Sequence, residues 1–283
     1  MPATLVSMAV TTLQAAPRPR SFVAVRGPEA ASYLNRMVSN EVEALAVGES
    51  CEALLLTPKA RIVAPLRAWR RADDDFLLLT EPEAGERLLR ELLRSRFAAK
   101  CEIALEEHRS VVVLGAEELV LNQHQVVVNL DYGVPAVELV DADPPEGAEP
   151  IAEEDLERLR ILARTPRLGR ELDDRVMPAE AGLEHRSISF TKGCYPGQEP
   201  VARLHFRGHP NRGLRVVVLD AGELPPYDAE LVHDGKAVGR ITSAARDPER
   251  GMVALAYVRR EIPVGSRLEL GDGRAAWPLG ETA

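Results

Sequence analysis

The run Lys192-Gly193-Cys194-Tyr195-Pro196-Gly197-Gln198-Glu199 decides the reading of this chain. A cysteine is flanked by glycines one residue before it and three after it. Glycine lets the backbone adopt left-handed angles and approach a ligand closely. A lysine two residues upstream, and a helix start just downstream, are surroundings that favour thiolate over thiol. The pattern predicts a loop that presents one sulfur atom. Its plainer alternative is a tight turn with a buried cysteine, the common fate of a free thiol.

Working outward, the other two cysteines, Cys51 and Cys101, each begin a β-rich run and read as small core residues. Three cysteines without a C-x-x-C pair exclude a disulfide framework and fit a reducing cytoplasm. A net charge of -9 over 283 residues argues against broad nucleic-acid binding, which needs a basic surface. No apolar stretch reaches the roughly 18 residues of a membrane span. Of the 35 basic residues only Lys59, Lys100, Lys192 and Lys236 are lysines, and the rest are arginines. A lysine inside the cysteine loop therefore stands out.

The segment Met1 to Ala16 has no basic start and reads as a loose arm or a first strand. Ser21 to Val25 reads as a strand, and Gly27-Pro28-Glu29 as the opening of a helix ending near Ser39-Asn40. Cys51 to Leu56, Ile62 to Trp69 and Phe76 to Thr80 read as strands, with Pro65 making the middle one bulged or an edge. A helix from Pro82 is expected to bury Leu88, Leu89, Leu92, Leu93 and Phe97. Cys101 to Leu105, Ser110 to Leu114, Gln125 to Leu130 and Ala136 to Val140 continue as strands, and Ala152 to Ala163 as a helix. The alternation is that of an α+β domain.

After a long irregular stretch, Thr165 to Phe190, and the cysteine loop, the texture changes. Leu214 to Leu219, Ala229 to His233, Lys236 to Ser243, Met252 to Val258 and Arg267 to Leu270 are strands, with Asp234-Gly235 as a hairpin signal. These predict a small all-β domain, a Greek-key barrel. The expected domains are 1–208 and 209–283. Between them Arg203, His205, Arg207 and His209 alternate as on one strand face, with a surface reading favoured over a metal site.

The cysteine loop matches the pattern K-G-C-Y-x-G-Q-E, with only Pro196 in a variable slot. It resembles the YgfZ family, folate-binding proteins of iron–sulfur cluster assembly. Glu199-Pro200-Val201-Ala202-Arg203 extends the match. Gly27 to Val42, Gly239 to Ser243 and Ala254 to Val258 are similar to the related glycine-cleavage T-protein family. The resemblance implies a T-protein-like folate-binding body followed by a β-barrel, and tetrahydrofolate as cofactor. It implies iron–sulfur client proteins as transient partners, tRNA-modifying radical enzymes among them. It gives Cys194 the role of functional thiol. Lys192, Gly193, Tyr195, Gly197, Gln198, Glu199 and Arg203 become candidate folate contacts, with Lys192, Tyr195 or Gln198 near the rim of a central cavity.

Departures from the T-protein pattern matter equally. Where that family carries two aspartates on its second strand, one of them catalytic, this chain has Ala64 and Pro65. Neither accepts a proton. Where T-proteins hold the pterin with glutamate, this chain has Leu162 in Arg160-Ile161-Leu162. Asp131, Asp173, Asp174, Glu180 and Glu184 are the candidate substitutes. The preferred reading is an accessory protein rather than an enzyme. The rivals are a folate-dependent aminomethyl transferase and a cysteine redox module without folate.

Overall fold

Alternation along Ser21–Arg26 sets the first sheet. Phe22 and Ala24 turn to one face, Val23 and Val25 to the other, and all four are buried. Both faces of this strand are therefore covered. It pairs antiparallel with Asp75–Thr80 and Glu102–Glu106, and the sheet continues through Ile62–Ala72 to Ser50–Leu56. The computed structural model in which this is seen describes residues 12–115 and 126–280. Residues 1–11 of the expected N-terminal arm, and Gln125 of the expected strand, lie outside it.

Helices Ala30–Met37 and Gly85–Ser95 cover one face of the sheet, burying Tyr33, Leu34, Leu88 and Leu92. Each fully buried leucine contributes about 1.5–3 kcal/mol of transfer free energy. On the opposite face Trp69, Leu77 and Leu79 meet Val127 and Val140 of a second sheet. That sheet runs Glu149–Pro150, Gln14–Pro17, Ser110–Leu114, Ala136–Val140 and Val126–Val128. Helix Glu153–Leu162 closes its outer side through Leu156 and Leu159.

Six antiparallel strands form a closed barrel: Arg212–Leu219, Gly251–Arg259, Lys236–Asp247, Glu230–His233, Leu268–Leu270 and Ala275–Pro278, in spatial order. The last pairs back to the first. Asp234 and Gly235 both have positive φ, 49° and 71°, as the tightest hairpin turn demands. A third cluster joins the parts. Leu54 and Ile62 from the first sheet pack with Ile161, Leu172 and Val201 and with Leu214 and Tyr257 of the barrel. The whole is an α+β fold with the barrel seated on the body.

Several expectations are corrected. Leu93 is 43% exposed and Phe97 is 91% exposed, because the helix ends at Ser95 and Phe97 turns away with φ 46°. The first helix begins at Ala30, so Glu29 caps it rather than lying in its first turn. The strand Ile62–Ala72 is internal, not an edge. Pro65 is accommodated beside a bulge at Leu55/Leu56 and just outside the pairing with Asp75–Thr80, which starts at Leu66. Gln198–Arg207 is a helix, so Arg203, His205 and Arg207 do not share a strand face. The strand Ala275–Pro278 was not anticipated.

Candidate functional site

The cysteine loop is held from three directions. Gly197 caps helix Gln198–Arg207 with φ 82°. A Cβ there would stand 2.6 Å from the carbonyl oxygen of Thr57, so only glycine fits against the turn that joins Ser50–Leu56 to Ile62–Ala72. Lys192 donates through Nζ to Asn35 Oδ1 at 3.0 Å, to the Val38 carbonyl at 2.9 Å and to the Asn40 carbonyl at 2.6 Å. These acceptors lie at and beyond the carboxyl end of helix Ala30–Met37, where a cation is favoured. Burial pulls the Lys192 ammonium down to about 8, with Glu41 opposing, so it remains charged at pH 7. All three hydrogens of the ammonium are thus used inside the protein.

Tyr195 is buried in the joining cluster, with Lys192 Nζ 5.7 Å from its ring centroid. Burial, then Glu184, pushes its hydroxyl up to about 12. That hydroxyl and Glu184 Oε1 are both buried without a hydrogen-bond partner among the described residues. Between Lys192 and Tyr195, Gly193 and Cys194 are exposed. Nothing lies within 4 Å of where a Gly193 side chain would begin. Gln198 is half-buried, and Glu199 and Arg203 are exposed one helical turn apart. The other two thiols differ. Burial pushes Cys51 up to about 12 and raises Cys101 also.

A second constellation, built from seemingly ordinary surface residues, occupies the centre of the body. Arg20 grips Glu138 through Nε and Nη2, at 2.9 and 3.0 Å. Ser110 Oγ and Asn129 Nδ2 also donate to that carboxylate. Arg18 and Arg20 share Glu81, at 2.7 and 3.1 Å. Arg67 reaches Asp131 at 2.7 Å and Glu52 at 3.1 Å, and Arg186 holds Glu52 at 2.9 Å. Burial alone would raise Asp131 and Glu138. Arg67 and Arg20 outweigh it at Asp131, as Arg20 does at Glu138, and hold both carboxyls below their usual range.

These groups surround a cavity of about 50 Å3. Arg160, Thr165 and Arg167 complete its wall. Arg160 in turn is fixed by Glu171 at 3.0 Å and by Ser243 of the barrel at 2.8 Å. Four polar atoms of the lining have no partner among the described residues: Arg18 Nε, Arg67 Nε, Arg167 Nε and Thr165 Oγ1. Such orphans are rare in a finished core. They suit a flat ligand with hydrogen-bonding edges, such as a pterin. The free volume itself holds only about one or two waters, so a bicyclic ring requires the partly exposed Arg167 and Arg186 to swing aside.

The residues singled out by resemblance sit differently from one another. Pro65 lines the cavity, whereas Ala64 points the other way into the helix-covered core. Leu162 packs in the joining cluster, and its neighbour Arg160 faces the cavity. Among the five candidate substitutes only Asp131 lines it; Asp173 pairs with Arg175, and Glu180 with Arg212. No residue from Lys192 to Arg203 lines it. The cysteine loop follows Arg186 and Ser187, which do, by only a few residues. Lys192, Tyr195 and Gln198 do not line this cavity: Lys192 is drawn to the helix end and Tyr195 into the core.

The fold is that of the glycine-cleavage T-proteins. It superposes on the aminomethyltransferase T of Bartonella henselae with a TM-score of 0.82, covering 96% of this chain and 86% of that one at 18% identity. No family model matches the chain. A putative chloroplastic transferase of Arabidopsis thaliana is 26% identical over 291 residues, spanning 88% of this chain and 66% of its own length. The tRNA-modifying protein YgfZ of Serratia proteamaculans is 25% identical over 286 residues, 89% of this chain and 86% of its own. Within the T-protein fold, the chain is similar in sequence to YgfZ proteins over most of its length.

Proposed function

We propose that this protein binds a reduced folate, tetrahydrofolate or a close relative, in the central cavity, and that it serves iron–sulfur client proteins through the exposed Cys194. The observation that carries the folate half is the set of orphaned donors on Arg18, Arg67 and Arg167, with the Thr165 hydroxyl, around one cavity. When bound, a reduced pterin supplies a flat, electron-rich ring whose edge alternates donors and acceptors. Asp131 would accept from that edge, and the arginine Nε atoms would donate to it. Leu54, Leu66 and Leu172 provide the apolar wall on which a ring lies.

The thiol half rests on position. Cys194 is exposed, on a loop whose two ends are pinned by Lys192 and Gly197, so a partner meets a sulfur atom at a fixed place. Soft metal and disulfide chemistry both need such access. The support of tRNA-modifying iron–sulfur enzymes, and a cytoplasmic location, belong to the same reading. Among the described residues no helix is long and apolar enough to cross a membrane.

Calorimetry with tetrahydrofolate tests the proposal. Heat of binding that disappears in Asp131→Asn is the expected result. Absence of binding at millimolar ligand, an affinity of about 4 kcal/mol, removes the folate reading.

A further inference from the structure

Three rings stack on the surface beside the cysteine loop. Phe190 and His205 lie face to face with centroids 3.9 Å apart. Phe206 stands edge-on to both, at 5.8 and 4.8 Å. Glu184 Oε1 lies 3.7 Å from His205 Nδ1 and ties the stack to the body. Phe206 is nevertheless 67% exposed. A phenylalanine fixed by two rings and left in water is a preformed anchor, with little side-chain freedom to lose on contact.

Helix Gln198–Arg207 sets this anchor in a row of charge. Arg203, Phe206 and Arg207 are three and four residues apart, so they share one face, opposite the buried Val201. All three are exposed. Lys59 is exposed as well, in the turn against which Gly197 packs. Among the described residues Lys59, Arg203 and Arg207 have no acidic partner. Glu199 is the acid of this helix. The helix starts at Gln198, four residues after Cys194, and its ten residues span about 15 Å. The thiol, the rings and the free cations therefore fit within one small interface, roughly 800 Å2 on each side.

Rings interleaved with cations suit two classes of partner, an acidic protein surface or single-stranded RNA. The observations favour protein. Three unpaired cations on a chain with net charge -9 neutralise few phosphates. The adjoining thiol has no soft metal or disulfide to meet on RNA.

We propose that this helix face is the docking surface for iron–sulfur client proteins, which present an acidic segment bearing an apolar side chain. Arg203, Arg207 and Lys59 engage the carboxylates, Phe206 packs on the apolar group, and the client is held over Cys194. The inference rests on the thiol half of the function proposed above and gives its partner a chemistry.

Fluorescence anisotropy on the full chain tests it with three labelled probes. One is a short peptide of glutamates and aspartates around a central Leu-Trp pair. The second has glutamine and asparagine in place of the acids, and the third is oligouridine. The acidic peptide is expected to bind at least about tenfold more tightly than either of the others, an advantage that shrinks as salt rises. The double variant Arg203→Gln/Arg207→Gln and the single variant Phe206→Ser should each weaken it about tenfold. Their melting curves should match the parent's, since these positions are exposed. Lys236→Gln, an exposed cation of the barrel hairpin, should leave binding unchanged. Saturating peptide should also slow alkylation of Cys194 by iodoacetamide while that of Cys101 stays the same.

No binding at millimolar peptide, equal binding of the acidic and amide peptides, an equal loss in Lys236→Gln, or unprotected Cys194 each overturns the inference. Tighter binding of oligouridine overturns it also and makes the face an RNA site. A deletion strain separates this inference from the thiol reading. If Cys194→Ser loses the support of iron–sulfur enzymes while Arg203→Gln/Arg207→Gln keeps it in full, the docking face falls and the thiol stands. If Cys194→Ser restores that support, the thiol reading falls and this inference with it.

Discussion

The Nζ atom of Lys192 lies 2.6 Å from the carbonyl oxygen of Asn40. This contact spans 152 positions and ties the cysteine loop to the end of the first helix. With its bonds to Asn35 and Val38 it makes the lysine a fastening of the loop.

Replacing Lys192 by methionine keeps the stem and removes the three donors. The variant should lose about 2 kcal/mol, the scale for hydrogen bonds from a charged group. Tetrahydrofolate affinity should not change, since the lysine does not line the cavity. A urea titration and one calorimetric run measure both. A stable variant with weakened folate binding would return Lys192 to the ligand.

Glu138 is fully buried beneath the cavity and holds Arg20 in two hydrogen bonds. Glu138→Gln removes the two-bond partner of the Arg20 cation and leaves it only a shared Glu81 and the more distant Asp131, which should cost about 3 kcal/mol. The pH dependence has a definite sign. Asp131 and Glu138 both titrate lower in the folded protein than unfolded, so the unfolded state takes up protons first on acidification. Their contribution is fully present above an unfolded value of roughly 4 and is lost as pH falls from there towards the folded values. Melting temperature followed from pH 7 to pH 3 should show a steeper acid decline in the parent than in Glu138→Gln. Parallel declines would contradict the assignment.

Iodoacetamide should modify Cys194 first and Cys51 last. Cys194 is exposed, whereas burial pushes Cys51 up to about 12 and leaves almost no thiolate at pH 7. Mass spectrometry of peptides from a timed reaction gives the order. Cys194→Ser should cost no more than about 1 kcal/mol, being at an exposed site, yet abolish the support of iron–sulfur enzymes in a deletion strain. Rescue by the serine variant would reduce the loop to a structural turn.

With an aminomethylated carrier protein and tetrahydrofolate, the chain should form no methylenetetrahydrofolate above background. Pro65 occupies the cavity wall where the T-protein pattern has a carboxylate. The acids that line the cavity are engaged by arginines, and Arg67 and Arg20 hold Asp131 below its usual range, which makes it a poor proton acceptor. Turnover near one per second, within the ordinary enzyme range, would establish the transferase instead.

The two sites differ in how far they could be read in advance. The cysteine loop is contiguous, so one run of eight residues, seven of them specified, carried its whole signal. The barrel strands were legible from alternation and from Asp234-Gly235. The charged cavity was not, because its members range from Arg18 to Arg186 and each alone resembles a surface residue. Two clues were available. Glu138 interrupts the apolar strand Ala136–Val140 at its centre, and Arg67 does the same in Ile62–Ala72. A charge on a strand covered on both faces must have a buried partner. Naming that partner needs the register that sets Glu138 opposite Val112 and Val127, and that pairing comes only with the fold.

Arg18, Arg20, Arg67 and Arg186 face Glu52, Glu81, Asp131 and Glu138 in a closed account of charge. Drift at these positions is consequently coupled. A lone change strands an opposite charge in the interior, so viable lineages must alter two positions nearly at once or none. The eight residues should descend as a block, slow to change while the helices around them diverge. A variant gene library screened for folded protein would reveal them as pairs tolerated in combination and rejected singly.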